Sequence, residues 1–429
     1  MFLKDNDKIK FLVSGTAIGI ICGFMLTIYR LLVVLLQGKM QNLYIFARQN
    51  LLNAIIVLIF LAFLGFIVGI LTYKEPMIGG SGIPQVMGQI KGLLTIKWQK
   101  VLPFKFIGGI IGLASGLTLG REGPSVQMGA SVGQAYSELG KCKDEESKIL
   151  ISAGAAAGLS AAFNAPISGI LFALEELHHS FNKYVFIAVT SSSIFANYVS
   201  GLMLGVDPVI NLGKMTRLSP SLYSYLILMG LIIGLLAPIF TLSIYKLKDF
   251  YDKLTIPKYI QIIIPFILTG IVIIIFPNAF GSGEHFIFLP IKNNADGFKI
   301  FEIIIAKFIL LIIAFSSGMP GGIFLPMLVL GSLIGNAFGQ TLVMFGIIDS
   351  NYIVLFSSIA MAANFAAIVR SPLTGIILLL ELTGSFTFFL PISVVVLTSY
   401  MVVELINLKP IYSGLLEKMY AKINNLNSL

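Results

Sequence analysis

A backbone that runs through hydrocarbon must pair every N–H and C=O within itself, and this chain enters hydrocarbon many times. Apolar runs recur from end to end: "FLVSGTAIGIICGFML" from Phe11, "AIIVLIFLAFLGFIVGIL" from Ala54, "LILMGLIIGLLAPIF" from Leu226 and "YIQIIIPFILTGIVIIIF" from Tyr259. Several are long enough to cross a bilayer core, which takes about 20 helical residues. Of the 429 residues, 57% are hydrophobic and 11% charged, and the mean hydropathy is +0.93. A soluble globular chain carries roughly twice that charged fraction. The expected fold class is an all-α polytopic membrane protein, a single integral membrane unit with no soluble domain at either end.

The formal net charge of +9 does not point to nucleic acid, because Lys and Arg are scattered among short loops and both termini. That distribution matches positive-inside anchoring in a lipid bilayer. The N-terminal "MFLKDNDKIK" leads into an apolar run too long for a signal-peptide core and without a small-residue cleavage site. It reads as a retained first helix with a cytoplasmic N-terminus. Cys22 and Cys142 are the two cysteines, and His178, His179 and His285 show no HExxH spacing. Neither a disulfide framework nor a metal or cofactor site is implied.

The chain repeats itself. At a shift of 202, "KFIGGIIGLASGLTLGREGPSVQMGASVGQAY" from Lys105 falls on "KFILLIIAFSSGMPGGIFLPMLVLGSLIGNAF" from Lys307, matching Gly120 to Gly322, Pro124 to Pro326, Gly129 to Gly331 and Gly133 to Gly335. Upstream, "GSG" at Gly80–Gly82 pairs with "GSG" at Gly281–Gly283, and downstream "PISGILFALEE" from Pro166 pairs with "PLTGIILLLEL" from Pro372. Close packing through small residues explains the glycine content but not the shared order of motifs. Two related halves are expected, roughly residues 11–206 and 221–407, followed by a C-terminal cytoplasmic helix at about 409–429. Internal repeats interrupted by Gly and Pro at corresponding places are the mark of secondary transporters, whose sites lie where broken helices meet near the midplane.

Three interruptions stand out: "GGSGIPQV" from Gly79, "GREGPSV" from Gly120 and "GGIFLPML" from Gly321. Each supplies Gly-rich backbone and then a proline suited to a first helical turn. A helix N-terminus offers unpaired N–H groups and the positive end of a dipole, so several aimed at one point hold an anion without a full positive charge. Such a site releases its ion more readily than a bare Arg or Lys. Ser81 adds a hydroxyl donor unless it serves as a plain N-cap, and Ile323 and Phe324 supply backbone N–H groups. Glu122 then has a purpose: its carboxylate competes with the anion for the same donors, and on protonation it swings away. An intramembrane ionisable residue is a functional candidate by default. The alternative, a salt bridge to Arg121, is disfavoured where neighbouring side chains on a helix diverge.

In this order and spacing "GSGIP", "GREGP" and "GGIFLP" resemble the CLC family of chloride channels and proton-coupled chloride exchangers, over nearly the whole chain. The resemblance implies an inverted-repeat bundle and a homodimer with one anion pathway per subunit. It implies chloride and protons as the transported ions, and a cell (inner) membrane location with both termini cytoplasmic. By motif it implies chloride ligands at Ser81, Gly123, Ile323 and Phe324, and a gating glutamate at Glu122. Tyr412 of "KPIYSGLL" corresponds to the tyrosine that closes the inner side of the site. In "LFALEELHHSF", Glu176 corresponds to the internal proton-transfer glutamate that exchangers keep and channels generally lack. Its place beside His178 and His179 suggests the polar end of a helix, where it collects protons from water.

The departures are Gln85 in place of a common glutamate, Ser125 in place of a frequent threonine, and no CBS regulatory domains, which favours a prokaryotic type. The resemblance favours a chloride/proton exchanger. A passive chloride channel typically lacks the counterpart of Glu176, and the fluoride-exporting branch typically departs from the "GSGIP" serine. From another class, "GGSG" at Gly79–Gly82 also fits the nucleophile pattern of rhomboid intramembrane proteases, which need a histidine to activate the serine. An enzyme explains neither the repeat nor "GREGP".

Overall fold

Each apolar run lies in helix, the state that satisfies its backbone without water. The computed structural model describes residues 6–213, 218–292 and 297–427. The first run sits in Asn6–Ala47, the second in Leu51–Lys74 and the third in Tyr223–Lys253. The fourth is split at Ile262 between Lys258–Gln261 and Ile263–Ile275. Among the described residues, eight helical stretches are long and apolar enough to cross a membrane.

The repeat is a repeat of elements. Trp98–Ala114 has its mate in Gly297–Ser316, Glu122–Leu139 in Phe324–Met344, and Asp144–Phe163 in Ile353–Val369. Pro166–Phe172, which runs on as a π-helical turn at Ala173–His178, matches Pro372–Thr383, and Lys183–Leu204 matches Phe389–Ile406. The halves differ after the "GSG" turns. The first opens into the α-helix Ile83–Ile90, the second into a 3₁₀ turn at Glu284–Phe288 followed by Leu289–Lys292. The helix Ile411–Asn427 follows the second half.

The repeated glycines let helices touch backbone to backbone. A Cβ on Gly129 would lie 2.1 Å from the carbonyl oxygen of Gly154, and one on Gly133 2.1 Å from that of Leu150. Their mates Gly331 and Gly335 meet the carbonyl oxygens of Ala360 and Phe356 in the same way, at 2.6 and 2.4 Å. Any side chain would force these helices apart, and van der Waals contact is what holds helices together in lipid.

The two halves also terminate each other's helices. The carboxylate of Glu381 accepts the N–H groups of Ile167 and Ser168 and the hydroxyl of Ser168, at the start of Pro166–Phe172. Glu175, its mate, accepts the N–H groups of Leu373 and Thr374 and the hydroxyl of Thr374, at the start of Pro372–Thr383. This reciprocity is what a two-fold relation between inverted halves produces. It also explains why this carboxylate occurs in both halves: each closes unpaired donors at a helix start that lies within the membrane protein.

Because both glutamates do the same work, Glu381→Gln and Glu175→Gln should each lower the thermal unfolding midpoint in detergent by a similar amount. Weakening charge-assisted hydrogen bonds of this kind costs about 1–3 kcal/mol. Midpoints unchanged from the parent protein would rule out the capping role.

Candidate functional site

The first break is a turn that only glycine tolerates. Gly80 and Gly82 have φ of +68° and +91°, in the left-handed region, and Ile83–Ile90 begins immediately afterwards with Pro84 in its first turn. Ser81 is buried between the two glycines, and its Oγ accepts the N–H of Ile83 at 3.3 Å. Ser81, one residue before the N-cap Gly82, therefore takes the first N–H of the helix, while its hydroxyl hydrogen remains free to donate.

At the second break, Glu122 opens the helix Glu122–Leu139 and is fully buried. Its Oε2 accepts the N–H of Leu325, from the first turn of Phe324–Met344, at 3.4 Å, whereas its Oε1 has no hydrogen-bond partner. Arg121 Nε stands 3.9 Å from that Oε1. Arg121 precedes the helix as its N-cap, so the two neighbours approach more closely than residues diverging on a helix surface would. The separation is still too long for a hydrogen bond.

The third break places Ile323 as N-cap and starts the helix at Phe324, both fully buried. The ring of Phe324 is boxed in by Phe163, Phe172 and Phe365, at centroid distances of 5.1, 6.4 and 4.3 Å. Three aromatic contacts from three other helices, two in the first half and one in the second, fix where this helix begins.

These breaks meet at one place. Gly120 and Gly322, repeat mates, exchange both N–H···O bonds at 2.7 Å and form an isolated antiparallel bridge. Gly80 donates to Met319 O and accepts from Gly321, at 3.2 and 3.0 Å. A Cβ on Gly123 would lie 2.8 Å from Ser81 Cβ and 3.1 Å from Gly322 Cα, so Gly123 brings all three breaks into contact. The result is three helix N-termini converging, each equivalent to roughly half a positive charge, with a carboxylate among them.

Tyr412, in the first turn of Ile411–Asn427, is fully buried, and its hydroxyl has no hydrogen-bond partner. It lies within electrostatic reach of both Glu122 and Glu176. Glu176 departs from the sequence expectation. It is 2% exposed rather than at a wet helix end, because the π-helical turn directs it inward, where Ser371 Oγ donates to its Oε2 at 2.7 Å. Its Oε1 is without a partner. His178 is bonded to Ser152 Oγ at 2.6 Å.

Four residues of this region escaped the sequence reading. Ser371 holds Glu176, and Gln127 Nε2 donates to Met77 O at 2.8 Å. Lys105, buried in Trp98–Ala114, donates to Ile78 O and Gly80 O, both at 2.7 Å. Its mate Lys307 donates to Ala279 O and Gly281 O, at 2.6 and 2.7 Å. The signal was there for the lysines: a cation recurring at the same place in two apolar segments is rarely incidental.

Comparison with known proteins places this architecture. Residues 64–404 match the family model described as voltage gated chloride channel. The H(+)/Cl(-) exchange transporter ClcA of Salmonella agona (strain SL483) is 37% identical over 358 residues, covering 81% of this chain and 75% of the relative. ClcA of Citrobacter koseri is 35% identical over 98% of this chain and 90% of the relative. The crystal structure of a slow cyanobacterial Cl-/H+ antiporter, 28% identical, superposes with a TM-score of 0.91 over 96% of this chain and 99% of the other. A repeat-built bundle with three broken helices meeting at a buried glutamate, and relatives spanning nearly its full length, make this chain a member of the voltage-gated chloride channel family.

Proposed function

We propose that this protein is a proton-coupled chloride antiporter. The observation that carries the reading is the position of Glu122: its carboxylate takes the backbone N–H of Leu325 where three helix starts converge. A carboxylate oxygen there stands where a halide would sit. The names of the relatives point the same way.

In this reading the hydroxyls of Ser81 and Tyr412 and the backbone N–H groups of Ile323 and Phe324 hold the anion, and Gly123 lets the Glu122 helix approach Ser81. Ionised, Glu122 occupies the donors. Protonated, it loses its advantage over chloride, leaves, and carries its proton toward the outer side. Glu176, buried and half-satisfied by Ser371, is the inner carboxylate. It passes the proton between the cytoplasm and Glu122, past Tyr412, on a path separate from that of chloride. A buried carboxylate of this kind needs an access route for protons, which the neighbouring polar turn around His178 and His179 supplies.

All three breaks lie within one chain, so each subunit of the homodimer implied by the family holds a complete pathway. A cytoplasmic C-terminal helix is supported by its lysines, of which Lys418 and Lys422 pair with Asp249 and Asp252 at 2.6 Å. In this reading both termini face the cytoplasm and the protein sits in the inner membrane. A serine protease is disfavoured because His178 is bonded to Ser152 rather than to Ser81.

Three outcomes are expected with purified protein in liposomes. Glu122→Gln retains chloride flux and loses chloride-driven proton movement, as the group that trades a proton for an anion is gone. Proton pumping by this variant would remove Glu122 from the mechanism. Glu176→Gln likewise abolishes proton transport while chloride flux persists. Flux in the parent protein without any proton movement would mean a passive channel instead. Ser81→Pro shifts preference from chloride toward nitrate, several-fold, when anion competition is measured; an unchanged preference would reduce Ser81 to a cap.

A further inference from the structure

The first "GSG" turn sets a problem for an anion site, because backbone carbonyl oxygens repel an anion as strongly as N–H groups attract it. Met77, Ile78, Gly79 and Gly80 present four such oxygens in succession immediately before Ser81. Each has a donor. Gln127 Nε2 and Gln85 Nε2 reach Met77 O at 2.8 and 3.2 Å, and the same Gln85 nitrogen reaches Gly79 O at 2.7 Å. Lys105 Nζ reaches Ile78 O and Gly80 O, both at 2.7 Å. Gly80 O also takes the N–H of Gly321, so the lysine sits at the knot joining the first break to the third.

We propose that Lys105, Gln85 and Gln127 form a carbonyl clamp that turns these four oxygens away from the anion pathway and fixes Ser81 toward it, making Lys105 a positioning residue for chloride discrimination. The proposal rests on the reading of Ser81 as an anion ligand.

The second half supplies the comparison. Lys307 grips Ala279 O and Gly281 O as Lys105 grips Ile78 O and Gly80 O. Yet the turn it grips leads into a 3₁₀ segment, and no anion ligand is assigned there. The same lysine geometry thus serves a site in one half and scaffold alone in the other. Gln85 sharpens the contrast. As an amide it offers two N–H hydrogens from one nitrogen to two carbonyls, whereas an ionised glutamate at that position would accept only and would repel both oxygens.

The test is isothermal titration of the purified full-length protein with potassium chloride and with potassium nitrate, alongside thermal unfolding. The variants are Lys105→Met, Lys105→Arg, Gln85→Glu and Lys307→Met. Lys105→Met is expected to lower chloride affinity tenfold or more and to erase the chloride-over-nitrate preference. Lys105→Arg, which can still fork onto two carbonyls, restores most of both. Lys307→Met is expected to lower the unfolding midpoint while leaving chloride affinity within about twofold of the parent. Should Lys105→Met fail to fold, Gln85→Glu carries the test, with an expected loss of chloride affinity of several-fold. Equal effects of Lys105→Met and Lys307→Met on chloride affinity, or no effect of Lys105→Met or Gln85→Glu, would overturn the clamp. A parent protein that binds no chloride would instead overturn the anion reading beneath it.

Discussion

Breaking a helix inside a membrane leaves backbone groups without partners, and the rest of this structure follows from how they are supplied. Hydrocarbon offers none, so the partners come from elsewhere in the chain, some from the other half and some from the same one. Gly120 and Gly322 satisfy each other across the centre, Gly80 is tied to Met319 and Gly321, and buried lysines take the carbonyls of both "GSG" turns. The N–H groups that remain at the three helix starts are then free to act on an ion. A site of this type depends on the closure of its surroundings: donors stay available to a ligand only if every nearby acceptor is already engaged.

Much of this was legible in the sequence. The apolar runs required helices, the shift of 202 residues gave the element-by-element correspondence, and the Gly–Pro interruptions located the three breaks. The pairing of "PISGILFALEE" with "PLTGIILLLEL" sets Glu175 against Glu381 and Glu176 against Leu382, so the carboxylate present in both halves serves something both halves share. Their reciprocal capping of Pro372–Thr383 and Pro166–Phe172 is that shared task.

The unreadable features were those that depend on the path of the backbone. Glu176 beside two histidines looks solvated when an ordinary helix is assumed, but a π-helical turn rotates it inward onto Ser371. Arg121 looks as if it should diverge from Glu122, but it stands one residue outside the helix. Lys105 and Lys307 were visible as a repeated letter without a visible partner, because their acceptors are main-chain oxygens more than twenty residues away, and main-chain oxygens carry no signature in sequence.

The crossed glutamate caps bear on how the protein is made. Glu175 and the helix start at Pro372 are separated by about two hundred residues, and the helix start at Pro166 lies a similar distance from Glu381. At roughly 5–20 residues per second, a ribosome needs on the order of 10–40 s to deliver the second half after the first. Throughout that interval the first half rests in the bilayer with an open helix end and an unengaged carboxylate. Biogenesis therefore contains a waiting step that no single half can shorten, during which the nascent chain depends on the insertion machinery, on lipid headgroups or on trapped water to shield what its sibling will later cover.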